Sequence, residues 1–346
     1  MKKKIEAARK SAKLNTADKQ DLDRGNDAAV DRDDDGENTK GALHKAASTV
    51  LMNMMDAARM ARPDLWRPTT RLASYVTKWS LYRGKPLHIL VCYIWGTLVY
   101  MQEGCIAQSD AHPLQRVAYS DADFAGVLDT PRSTTGGHLC LEGLSSLFPI
   151  HSLSKRPDST ASSTPEAKMV AAATVIRQML MPSLDIWEIL LQKGSKNLRG
   201  VPREDNADCS KVIQSGRNPT MIHLHRFHGV SKRVLHEIAG NGHSPACVVV
   251  IYTPTDDMKA DISAKVFTSA STFADVCNNI SVFKQENISK HSNRARLKTN
   301  TTVVFACIPV LMPKPQNMSR KQRGGNTTAA NSATLNATST TKTRTS

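Results

Sequence analysis

The sequence predicts an α/β protein built on a mixed sheet flanked by helices, preceded by a small helical segment and bounded by charged, low-complexity ends. Three observations carry that prediction. Short β-patterned runs at 117–121, 138–141 and 147–153 are joined by turn residues and read as an antiparallel meander. Helical periodicity, one further β-branched run and a last helix follow, an order of strands, helices, strand, helix that suits a mixed sheet. Composition shifts near residue 41 and again near residue 289.

With 346 residues the chain is long enough for two domains, or for one domain with long tails. Aromatic residues are only 5%, so the core must rest on Leu, Val, Met and Ala. The net charge of +15 favours a polyanionic partner, nucleic acid or an acidic membrane surface, and does not bear on fold. Seven scattered cysteines form no Cys-x-x-Cys pair, which suggests reduced thiols in an intracellular, cytoplasmic or nuclear protein. Met1-Lys-Lys-Lys is followed by no apolar stretch, so no signal peptide is expected. The longest apolar runs are too short to span a bilayer, and no membrane partner is expected.

Residues 1–40 are charged throughout and are expected to form a disordered arm. From 42, Leu43, Ala47, Val50, Leu51, Met54 and Ala58 recur at helical spacing, and Arg62-Pro63 ends that helix. A second helix is expected from about Pro68, with Leu72, Tyr75, Val76 and Trp79 on one face. A third is expected from Pro86, with Leu87, Leu90, Val91 and Ile94 inside. Val117 and Tyr119 alternate with small residues and lead into Asp121, which places that acid at the end of a buried strand; taken alone, Ser120-Asp121 would rather open a turn, and the further stretches below favour the strand. Arg132-Ser-Thr-Thr-Gly-Gly137 reads as a turn.

Thr164 as N-cap with Pro165 behind it predicts a helix that buries Met169, Val170, Ala173, Ile176 and Leu180. Further helices are expected over about 183–192, 207–214 and around Val230, Val234, Leu235 and Ile238, then a central strand at 247–252 and a core helix at 258–267. Residues 289–346 become basic and then almost wholly Thr, Asn, Ala and Ser, a disordered tail.

Six motifs occur in a fixed order: Tyr119-Ser-Asp-Ala-Asp-Phe-Ala-Gly126, Arg132-Ser-Thr-Thr-Gly136, Ser154-Lys-Arg156, Ser162-Ser-Thr-Pro-Glu-Ala167, Glu204-Asp-Asn206 and Ala260-Asp-Ile262. In that order they resemble the RNase H domain of copia-type retrotransposon polyproteins. Upstream, Ala57-Ala-Arg-Met-Ala-Arg-Pro-Asp-Leu65 and 87–98 resemble the end of the reverse transcriptase and its connection to that domain. The resemblance implies an RNase H-like mixed sheet over 112–282, preceded by a helical reverse-transcriptase remnant over 41–105. No Tyr-x-Asp-Asp-like pair is present for polymerisation.

The resemblance also implies a Mg²⁺-dependent endonuclease acting on the RNA strand of RNA–DNA hybrids, in which carboxylates hold two Mg²⁺ ions. Asp121 matches the first acid of that set, Asp205 the acid before the second core helix, and Asp261 the last acid. Read without the resemblance, Asp205 is a helix N-cap and Asp261 a first-turn acid favoured by the helix dipole.

The fourth position departs from the family pattern, because Glu166-Ala-Lys168 carries lysine where the pattern has its second glutamate. Glu166 lies about 200° around the helix from Lys168 and cannot substitute. An ammonium among three carboxylates competes with the metal, so the expectation is a fold retained with cleavage weakened or lost. The alternative is a non-catalytic nucleic-acid-binding protein.

His223, His225, His228 and His236 lie within fourteen residues, without cysteine or a second histidine pair at zinc spacing. With Arg217, Arg226, Lys232 and Arg233 they suggest a basic face for phosphates, and a solvated helix face fits as well.

Overall fold

Strand β2 (Gln115–Asp123) is buried without interruption from Arg116 to Ala122, as a strand covered on both faces must be. Around it the computed structural model describes residues 43–107, 110, 114–124, 126, 132–191, 199–218, 221, 223–240 and 248–284. The arm expected over 1–40 and the tail expected over 289–346 lie outside the described residues. Five strands form one sheet in the order β4 (Leu147–Lys155), β3 (Thr134–Glu142), β2, β5 (Gly200–Glu204), β6 (Ile251–Tyr252). The first three pair antiparallel as the expected meander, while β5 and β6 run parallel to β2. This is the expected mixed sheet flanked by helices.

The crossover from β4 to β5 runs through α4 (Thr164–Val175), one π-helical turn (Ile176–Leu180) and α5 (Met181–Leu191) without a break. It packs Met169, Val170, Ala173, Ile176 and Leu180, all expected inside, against Ala118 and Leu139 of the sheet. Helices α6 (Ala207–Ser215) and α8 (Lys232–Ala239) add Cys209, Ile213 and Leu235 to that core, with the short α7 (Leu224–His228) between them. On the other face Val117, Tyr119, Cys140 and Val201 meet Met258 and Ala260. Asp121 follows Val117 and Tyr119 at two-residue steps and so shares this second face.

Before the sheet, α1 (His44–Met60), α2 (Trp66–Ala73) and α3 (Gly84–Gly96) bury Leu51, Trp66, Leu72, Trp79 and Leu90 in a cluster of their own. After it come the one-turn α9 (Asp261–Ala264) and α10 (Ala270–Asn279). A two-stranded ribbon follows α3, β1 (Tyr100–Gln102) pairing antiparallel with β7 (Val282–Lys284).

Several local expectations are corrected. The second helix stops at Ala73, and a separate 3₁₀ turn (Val76–Lys78) carries the chain toward Trp79. Val91 is exposed, because Leu87, Leu90 and Ile94 define the buried stripe and Val91 sits about 100° off Leu90. Gly136 and Gly137 lie inside β3 rather than in a turn. A Cβ on Gly136 would sit 2.6 Å from Ala260 O and Ala264 N, so the glycine permits the close approach of α9. Ser163, not Thr164, caps α4, its hydroxyl accepting from Glu166 N.

The run at 247–252 is not a central strand. Cys247 lies outside the described residues, Val248 forms only an isolated bridge to Gly200, and the strand proper is the exposed two-residue edge β6. Val234 is exposed, as Leu235 and Ala239 turn α8 inward. The helix expected over 258–267 is only α9. Lys265 leaves it in extended backbone, and Ser269 caps α10 by accepting from Thr272 N.

Candidate active site

Parallel pairing of β2 with β5 brings their carboxyl-terminal ends to one edge of the sheet, where Asp121 ends the buried part of β2 and Asp205 directly follows β5. Helix α4 crosses that edge with Lys168 near its start, and α9 brings Asp261 as its first residue. The three acids expected from the sequence are thus gathered, and Lys168 is among them.

Lys168 Nζ donates to Asp121 Oδ1 at 2.6 Å and also to Asp205 Oδ1. Burial alone would lower the pKa of Lys168, but the carboxylates of Asp121, Glu204 and Asp205 outweigh it and hold the ammonium protonated above its ordinary range. A second ammonium, Lys265, donates to Asp261 Oδ2 at 2.8 Å and stands 3.7 Å from Asp121 Oδ2. Asp121 therefore lies between two cations. Burial, reinforced by the charge of Asp121, pushes Asp261 up to about 7. Glu204 is wholly buried, which raises it well above the carboxylate range, and it accepts from Ser120 Oγ at 3.0 Å.

Asp205 does not cap α6. Its neighbour Asn206 does, accepting from Cys209 N at 2.8 Å, which leaves the Asp205 carboxylate to Lys168 and to Thr255 Oγ1 at 3.4 Å. Glu166 turns away from the acids, as its helical offset requires. Its carboxylate accepts from Ser162 N at 2.7 Å, from Ser162 Oγ and from His228 Nε2 at 3.0 Å. Burial opposes ionisation there, but the Ser162 and His228 donors win and hold Glu166 below its ordinary range. The other ring nitrogen of His228 bonds Ser159 Oγ.

The four histidines do not converge. His223 packs edge-on to Phe227, His225 is exposed, and His236 Nδ1 reaches Ile213 O at 3.1 Å. Of the basic residues expected to face phosphates, Arg217 and Arg226 are exposed. Arg233 pairs with Glu237 at 2.9 Å, and Lys232 Nζ is committed to the carbonyls of Asn218 and Met221.

Two residues of the cluster were not singled out from the sequence. Lys265 is four residues after Asp261, a spacing that signals a helical ion pair. Arg67, from α2, donates to Ala264 O at 2.9 Å and lies 3.7 Å from Asp123. No local pattern marks it, since its partners are distant in sequence.

A pair of divalent cations would need the carboxylate oxygens that the ammoniums now take. Asp121 Oδ2 and Asp261 Oδ1 are buried without a hydrogen-bond partner, yet Asp121 Oδ1, Asp205 Oδ1 and Asp261 Oδ2 all accept from lysine. Among the described residues no group of three His, Cys, Asp or Glu is placed to hold a metal ion. The residues in this arrangement do not fit a two-cation centre.

No protein-family model matches the sequence. No curated protein matches it. Among solved structures the chain is similar to LC11-RNase H1, isolated from compost by a metagenomic approach, at 14% identity and a TM-score of 0.28. That match covers 43% of this chain and 92% of that one.

Proposed function

We propose that this chain is an RNase H-like domain derived from a copia-type retrotransposon polyprotein, in which Lys168 closes the hybrid-cutting site. Nucleic-acid binding is retained on this reading, and cleavage is weakened or lost. The supporting observation is the Lys168 ammonium held between Asp121 and Asp205. A buried cation there satisfies charges that would otherwise repel one another and call for a metal. Restoring a carboxylate at 168 would return the missing ligand of a Mg²⁺ site, whose ions would supply an activated water and leaving-group stabilisation.

The test is cleavage of an RNA–DNA hybrid by the full chain in Mg²⁺, native beside Lys168→Glu. The variant is expected to cut and the native chain to cut at least about tenfold more slowly, the loss of roughly one transition-state interaction. Native cleavage as fast as that of the variant overturns the reading. Hybrid binding by the native chain is expected to persist in EDTA and to weaken steeply with salt.

A further inference from the structure

At the opposite end of β2 and β3 from the acid cluster, a cavity of about 470 Å³ opens beside the β3–β4 hairpin, the β1–β7 ribbon and the end of α10. Along β3 the hairpin lies six residues from Gly136, about 20 Å at the strand rise. Glu103, Cys105, Leu144, Leu147, Asn278 and Phe283 are among its walls. The volume is that of a ligand site rather than of a packing defect.

Glu103 is the unusual wall. It is only 5% exposed, its Oε2 has no hydrogen-bond donor, and burial alone raises its pKa. Asp121, Asp261, Glu166 and Glu204 have basic or hydroxyl partners, and the buried Asp110 accepts from Ser145 N at 2.6 Å. The backbone cannot swing this one out to water. Glu103 N donates to Ser281 O at 2.8 Å, and Cys105 and Leu147 exchange hydrogen bonds of 2.8 and 2.9 Å. Between them Gly104 lies under the Phe148 ring, which a Cβ would meet at 2.5 Å.

A carboxyl fixed in a cavity without a donor is costly, and a donor arriving with positive charge relieves that cost most. One carboxylate alone is a poor metal site, since hard cations take several oxygen ligands. Leu147 and Phe283 offer an apolar wall of the kind that covers the methylenes of a basic side chain. We propose that this cavity binds a guanidinium or primary ammonium group on a short aliphatic arm, with Glu103 as its counter-ion. The site is separate from the acid cluster and does not depend on the nucleic-acid reading. The cation is either a free small molecule or the side chain of a basic peptide.

Titration calorimetry on the full chain distinguishes these, with butylguanidinium, its neutral isostere butylurea, and the peptide acetyl-Gly-Arg-Gly-amide as probes. Saturable binding of butylguanidinium is expected, about tenfold tighter than butylurea, as one charge-assisted hydrogen bond provides. Glu103→Gln should remove that preference. Leu144→Lys, at a position 94% exposed where folding is not at stake, should compete from the rim and weaken binding similarly. Tighter binding of the peptide than of butylguanidinium identifies a side chain as the natural cation, and weaker or equal binding a free one. Equal affinity for butylurea, an unchanged Glu103→Gln, or no saturable binding overturns the proposal.

Discussion

Lys168 is the residue on which the candidate site turns, and its charge has two consequences that can be measured. Removing one partner of a buried ion pair strands the other, so Lys168→Met is expected to cost about 3–5 kcal/mol in urea unfolding, leaving Asp121 and Asp205 facing each other. Mg²⁺ should recover part of that loss in the variant and leave the native melting point unmoved. His138 carries a second residue-scale prediction. It is fully buried, Nδ1 meets Ser152 Oγ at 2.8 Å, and burial with Lys259 and His151 nearby lowers its pKa to about 3. An unfolded histidine takes a proton near about 6.5. The unfolded state therefore binds more protons between those values, and stability falls as pH drops through that window. In His138→Asn, whose amide takes the place of Nδ1 and keeps a hydrogen bond to Ser152 but does not titrate, the acid limb of a stability–pH curve should be shallower.

The sequence made Asp121, Asp205 and Asp261 legible because each sits in a short motif, and it flagged Lys168 as a departure from one. Lys265 stands four residues after Asp261, but a lysine at that spacing marks an ordinary helical ion pair and says nothing of its approach to Asp121, which only the fold brings about. What Glu204 does was not legible, since only burial raises a carboxyl beside Asp205 well above its ordinary range where it accepts from Ser120.

Elements were read well where periodicity was strong and poorly where packing overrode it. The stripe Met169, Val170, Ala173, Ile176, Leu180 fixed the crossover helix, and the alternation in β2 fixed the central strand. Strand β5 was missed altogether. Pro202, Arg203 and Glu204 break its apolar pattern, and only pairing beside β2 makes it a strand. The glycines of β3 were mistaken for a turn because a glycine needed for clearance and one needed for its dihedral angles are identical in sequence. Gly136→Ala separates those roles. With φ ordinary and α9 backbone 2.6 Å from the new methyl, it is expected to destabilise by about 1–3 kcal/mol through overpacking and to push Asp261 away from Asp121. Unchanged stability in thermal melts would count against that contact.

For the molecule as a whole, net charge sets the long-range behaviour. With +15 on the chain, log affinity for a hybrid should fall linearly with log salt. Arg226→Ala is expected to reduce the slope by about one phosphate contact, and Arg233→Ala by less, because Glu237 already holds that guanidinium. No described helix is long and apolar enough to cross a membrane. The division expected between 41–105 and 112–282 runs through packed surface. Helix α2 lies against β4 and α9, and β1 pairs with β7 across it. A fragment limited to 112–284 should therefore unfold at lower urea than one spanning 43–284.

The guanidinium of Arg67 reaches the last carbonyl of the short turn that presents Asp261, so the amino-terminal helices act as a buttress for chemistry they do not perform. Loss of that guanidinium, which also faces Asp123, as in Arg67→Met, would loosen the acid's footing from nearly two hundred residues upstream. Truncations of the helical segment would then register as altered titration of Asp261 before any global unfolding.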